Sequence, residues 1–169
     1  EMPVAENGLM GIAVGAAILG KRPVLSLHRV EFSMLALDQI ANNAAKTCYA
    51  SNGQHHVPLV IRMVIGRGWG QGPAHAQSLE SMYAMFPGLK VIMPAFARDA
   101  KGMLTAAIQD EDPVIALEHR WLYDISGPVP SGYFEADITQ PAVVKEGSDI
   151  TVVATSYMTL EAIRAAEAL

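Results

Sequence analysis

Short apolar runs at residues 24–27, 59–63, 90–93, 114–118 and 150–154 alternate along the chain with longer segments of helical spacing at 6–19, 32–49, 78–86, 99–110 and 159–169. Strands this short, separated by helices, require crossover connections. Crossovers impose an α/β fold, a mostly parallel sheet with helices on both faces. A chain of 169 residues, 51% hydrophobic and 17% charged, has the material for such a core and not the composition of a disordered segment.

The first helix is the most apolar. Residues 6–19 are rich in Ala, Gly, Ile and Leu without an internal proline, and they stop at Gly20 before Lys21, Arg22 and Pro23. With so few polar positions it is expected to be buried nearly all round. The second helix is expected to show Leu35, Ile40 and Ala44 to a core. After Tyr123 the periodicity lapses through prolines at 128, 130 and 141. The expected organisation is therefore a domain over residues 1–125, a linker over 126–142, and the truncated beginning of a second domain over 143–169.

Several function classes fall away. A formal charge of -5 gives no basic field for nucleic acid. The run at 9–19 is too short to span a bilayer, and no basic segment precedes it as in a signal peptide. The lone Cys48 excludes an internal disulfide and any multi-cysteine metal site; it reads as small buried filler, and a cytoplasmic setting is expected. The histidines at 28, 55, 56, 75 and 119 show no zinc spacing, and His55 and His56 are expected to face solvent.

Two residues hold more interest. Glu6 stands beside the apolar first helix, where an inward carboxylate needs a partner that shares its proton; the alternative is an exposed glutamate favoured by the helix N-terminus. His75 closes a glycine-rich segment, 66–75, at a place where open α/β sheets commonly bind ligands; the alternative is a local hydrogen bond. That segment, Gly66-Arg67-Gly68-Trp69-Gly70-Gln71-Gly72, matches neither a Walker A loop nor a dinucleotide fingerprint. It says only that backbone must pass close to something.

Taken in order, Glu6-Asn7-Gly8, Gly11-Ile12-Ala13-Val14-Gly15-Ala16-Ala17, Phe32-Ser33-Met34, Asp38-Gln39-Ile40, Ala44-Ala45-Lys46, His75-Ala76-Gln77-Ser78, Pro87-Gly88-Leu89-Lys90-Val91, Asp99-Ala100-Lys101-Gly102 and Asp112-Pro113-Val114 resemble the beta subunit of thiamine-diphosphate-dependent 2-oxo acid dehydrogenases. The resemblance runs over essentially the whole chain and implies the thiamine diphosphate-binding fold, with a pyrimidine domain followed by the start of a transketolase C-terminal-like domain. It implies that Glu6 bonds the cofactor's aminopyrimidine and promotes ylid formation, that Phe32 packs on the pyrimidine, and that His75 stands near the reacting centre. It implies a 2-oxo acid substrate, an alpha subunit in an alpha2-beta2 heterotetramer, and a lipoyl-bearing dihydrolipoamide acyltransferase as acceptor. Magnesium and the diphosphate would be held mainly by the alpha subunit, since no Gly-Asp-Gly occurs in this chain. A potassium ion on the backbone oxygens of Leu59, Ala107, Ile108, Asp110 and Asp112 is also implied.

The chain departs from the family at Ser26-Leu27-His28-Arg29-Val30, where a Glu-Phe-Met-Thr-Phe-like segment is usual, so that His28 adds a polar group beside the cofactor position. The run His119-Arg120-Trp121-Leu122-Tyr123 is reminiscent of a bacterial branch and leaves the substrate open. A transketolase-like or acetoin-cleaving subunit and a non-catalytic assembly subunit are the alternatives.

Overall fold

The computed structural model describes residues 2–169. Four strands, β1 (Val24–Leu27), β2 (Val60–Ile65), β3 (Lys90–Ile92) and β4 (Val114–His119), form one all-parallel sheet in the order β1-β2-β4-β3. Side chains alternate between its faces. Ile61, Met63, Ile65, Ile115 and Leu117 pack with Met10, Ala13, Val14 and Ala17 of helix α1 (Glu6–Ile18) and with Tyr83 of α3 (Glu80–Ala84). Val60, Ile92, Val114 and Ala116 point the other way, against Met103, Leu104, Ala107 and Ile108 of α4 (Ala97–Gln109). Helices thus cover both faces, as the alternation requires. Each fully buried Ile, Leu or Met contributes about 1.5–3 kcal/mol.

The region expected to be one helix over 32–49 is broken. A 3-10 helix (Val30–Ala36) is followed by a π-helix (Gln39–Ala44) and a short α2 (Thr47–Ala50). At three residues per turn Val30, Ser33 and Ala36 share one buried face, which turns Leu35 out to 66% exposure instead of into the core. Ser33 Oγ donates to the carbonyl of Val30 and bonds the Tyr83 hydroxyl, locking the tight turn to α3. Burial pushes the Tyr83 phenol above its ordinary pKa. Tyr83→Phe leaves Ser33 buried beside a missing partner and should cost about 1–1.5 kcal/mol. A urea melt of the variant, with unchanged slope, checks this.

Helix α1 is buried on one face only, contrary to expectation. Gly8, Ile12, Gly15 and Leu19, spaced one or two turns apart, are exposed, and nothing lies within 4 Å of where a Cβ on Gly8 or Gly15 would stand. Helix α4 begins earlier than expected because Asp99, at its third position, accepts the backbone N–H of Phe96 at 3.3 Å. The expected strand at 150–154 is irregular, with Val152 and Val153 63% and 86% exposed. A strand needs a neighbour for its backbone groups, and this segment pairs with none of the four.

Residues 126–142 are extended over the surface but not free of it. Lys101 Nζ donates to the carbonyls of Pro130 and Gly132, and Ala136 donates to the carbonyl of Gly102. Helix α5 (Tyr157–Ala168) follows. No helix among the described residues is long and apolar enough to cross a membrane.

Candidate active site

In a parallel sheet the carboxyl ends of all strands share one rim, the usual place for ligands. Helix α1 feeds β1 through the short connection at 19–23 and so runs back across the sheet, carrying its first residue, Glu6, to that rim. His28 follows β1 and is exposed. Phe32 lies in the 3-10 helix after β1, and His75 ends the loop after β2 in a 3-10 turn (Pro73–His75). Their rings meet edge to face, with centroids 5.4 Å apart and planes at 76°. The sequence placed these residues forty-three positions apart; β1 and β2, paired in register, bring them together.

The Nδ1 of His75 is buried and makes no hydrogen bond among the described residues. Nearby are two buried charges that composition and spacing did not single out. Glu31, 8% exposed, accepts the Gln77 backbone N–H at 2.7 Å through one oxygen and leaves the other unpartnered. Arg120, 5% exposed, donates to Gln71 Oε1 at 2.8 Å and to the His75 carbonyl at 3.4 Å, with Nε unpartnered. Arg29 reaches the same carbonyl at 3.4 Å. Burial, then Arg29, draws the Arg120 pKa down, while Glu31 opposes them. The only sequence signal for this group is a charged residue beside an aromatic one after a strand, Glu31 before Phe32 and Arg120 before Trp121.

The glycine-rich segment answers its own question. A Cβ on Gly66 would sit 2.4 Å from His119 Nε2, and one on Gly68 2.9 Å from Arg120 Cδ, so the loop lies directly on these side chains. Trp69 adopts φ 55°, a strained value for a bulky residue, under a cation–π contact with Arg120 at 5.3 Å.

His119 also stacks on Tyr157 of α5, with centroids 5.1 Å apart, and meets Trp121 edge on. Burial, then Arg120, lowers its pKa below 6.5. The unfolded chain therefore binds this proton more readily than the folded one, and the stability contributed by neutral His119 is complete above pH 6.5 and lost as pH falls through the lowered value. His119→Gln should flatten the decline in melting midpoint between about pH 7 and pH 5, measured against the unsubstituted chain.

On the opposite rim, Arg22 donates to the carbonyls of Ile108 and Asp110 at 3.0 and 2.8 Å, and the Leu59 carbonyl accepts the Val114 N–H at 2.9 Å. Three of the five oxygens named for potassium thus each accept a hydrogen bond, two of them from a guanidinium. Cys48, expected as filler, and His56, expected in solvent, are both half-buried beside Asp112. His56 Nδ1 lies 3.2 Å from Asp112 Oδ1.

Residues 1–125 match the pyrimidine-binding domain of transketolase. The chain belongs to that family. Its relatives include the pyruvate dehydrogenase E1 component subunit beta-2, mitochondrial, of Oryza sativa subsp. japonica, 43% identical over all of this chain and 46% of that protein. Another is the acetoin:2,6-dichlorophenolindophenol oxidoreductase subunit beta of Cupriavidus necator, 38% identical over all of this chain and 50% of that protein. Among solved structures, a split-gene transketolase described as an inactive beta4 tetramer superposes with a TM-score of 0.77 at 27% identity, over 99% of this chain and 51% of that one. The family member described here therefore spans about half the length of the curated relatives it matches.

Proposed function

We propose that this chain is the cofactor-activating beta-type subunit of a thiamine-diphosphate-dependent 2-oxo acid dehydrogenase, active only with an alpha partner. The observation that carries the reading is the Phe32–His75 contact, with a buried, unpartnered His75 Nδ1, on the rim where α1 begins with Glu6. Orphaned buried polar atoms ask for a ligand or a partner. When bound, thiamine diphosphate supplies the electron sink that allows a 2-oxo acid to lose carbon dioxide.

The residues present fit that group. Glu6 holds and returns a proton at its carboxylate, Phe32 offers an apolar face to an aromatic ring, and His75 presents a ring nitrogen to substrate or to the lipoyl acceptor. His28, exposed at the end of β1, adds a polar group at the edge of the same site. The exposed stripe Gly8, Ile12, Gly15 and Leu19 continues from Glu6 along α1 and suits the alpha subunit, which would bring the magnesium and diphosphate ligands. A potassium ion on the opposite rim would have to share its oxygens with Arg22, and no step depends on it.

The full chain, alone and mixed with its alpha subunit, should be titrated with thiamine diphosphate and magnesium, then assayed for 2-oxo acid decarboxylation. Binding and turnover are expected only in the mixture. Turnover of acetoin or of a ketose phosphate in place of every 2-oxo acid would favour the second reading suggested by the acetoin and transketolase relatives. A well-assembled pair that binds no cofactor would overturn the catalytic reading in favour of an assembly role.

A further inference from the structure

On the rim opposite the active site three side chains of different donor type converge. Cys48 comes from α2, His56 from the loop that leaves α2, and Asp112 from the turn entering β4. One ligand atom from each lies within 4.8 Å of the other two. All three residues are half-buried, so an ion can reach them and bulk water does not surround them. We propose that Cys48, His56 and Asp112 form a three-ligand site for a borderline-soft divalent ion of the zinc type.

The donor set chooses the ion. A thiolate and an imidazole are poor ligands for potassium, magnesium or calcium and good ones for zinc, while the carboxylate completes a mixed set familiar in zinc sites with one open position. The geometry agrees. Bonds of about 2.0–2.2 Å to nitrogen and oxygen at a tetrahedral centre put those two ligand atoms about 3.3–3.4 Å apart. His56 Nδ1 and Asp112 Oδ1 stand 3.2 Å apart. A zinc–sulfur bond of about 2.3 Å asks for roughly 3.6 Å from sulfur to either, within the range that a Cys48 rotamer or a small shift of α2 can reach.

The surroundings hold the ligands in place. Ser51 Oγ donates to the Cys48 carbonyl at 3.2 Å and accepts the His55 N–H at 3.0 Å, tying the loop that joins Cys48 to His56. Asp110 accepts the Asp112 N–H at 2.9 Å and fixes the turn. Asp110 also takes Lys90 Nζ at 2.6 Å, leaving that ammonium 3.8 Å from Asp112 Oδ2 and Oδ1 turned to the histidine. One thiolate and one carboxylate balance the ion's charge. Binding releases the Cys48 thiol proton to solvent, with no redox change, and staples the loop at 51–56 to the turn at 110–113.

This set of side chains is independent of the proposed catalysis, and its test does not need turnover. The full chain, stripped with chelator, should be titrated with cobalt(II) while thiolate-to-cobalt absorption is recorded. Cys48 is the sole cysteine, so that band reports it alone. The expected result is saturation at one ion per chain in a monomeric sample, bleaching by zinc, and zinc protection of Cys48 from a thiol reagent. Cys48→Ser should abolish the band, and His56→Ala and Asp112→Asn should each weaken binding at least 10-fold, on the scale of about 10–100-fold losses from disturbed metal sites. His55→Ala, one residue away and exposed, should bind as the parent does. An unchanged band in His56→Ala, saturation at one ion per two chains, or Cys48 labelling at the same rate with and without zinc in folded protein would each overturn the site.

Discussion

Glu6→Gln in the assembled enzyme should lower 2-oxo acid turnover by about 10²–10⁴-fold while subunit assembly stays intact, the usual scale for removing a positioned acid–base group. Glutamine keeps the size and one hydrogen-bond acceptor of the carboxylate but cannot hold or return a proton. Glu6 opens α1 without serving as its cap, which is Ala5, so the helix does not depend on its charge beyond the modest attraction of the N-terminal dipole. The melting midpoint should therefore move little. Hydrogen–deuterium exchange of the cofactor's acidic proton, followed in the same complex, separates loss of proton transfer from loss of binding. Turnover within a factor of a few of the parent would remove Glu6 from the chemistry and leave the rim without its acid–base group.

How much of this was legible beforehand follows from which forces act locally. The alternation of apolar runs and helices was local, and the four paired strands fall where those runs predict them, with β2 and β4 reaching further, to Ile65 and His119. Those extra residues carry Gly66 and His119 to the rim. The break of the 32–49 segment was not legible, because a hydroxyl bond from Ser33 to Val30 and to a distant tyrosine decides it, and no periodicity records a partner fifty positions away. Likewise the exposure of Ile12 on α1 contradicts its hydrophobicity only while that face has no neighbour. Glu6 and His75 stand out by position, and Phe32 by resemblance, whereas Glu31 and Arg120 escape because burial of a charge is a tertiary fact. The grouping of the Cys48, His56 and Asp112 side chains escapes for the same reason: their separation in sequence has no metal-ligand spacing, and the fold alone joins them.

Gly88→Ala should be the most damaging of the conservative substitutions, lowering stability by about 3–5 kcal/mol, the sum of a strained backbone and an overpacked contact. Gly88 sits at φ 96° in the turn between α3 and β3, where Leu89 donates to the Phe86 carbonyl at 3.2 Å. A Cβ there would lie 1.9 Å from the Ala45 carbonyl oxygen and 2.9 Å from its carbon. Both obstacles are backbone, so no rotamer change gives relief. Ala45 directly follows the π-helix and is 4% exposed, so pushing it away strains the same chain segment that holds Phe32 at the rim. Against a typical total of about 5–15 kcal/mol, such a loss should reduce the melting midpoint by about 6–20 °C for a chain of this size. Gly15→Ala is the matched control, because Gly15 lies mid-helix with nothing within 4 Å of a Cβ. It should leave the midpoint unchanged or raise it, by up to about 1 kcal/mol of helix propensity. If the two variants melt together, Gly88 is not in contact with Ala45, and the segment after the π-helix packs on something other than this turn.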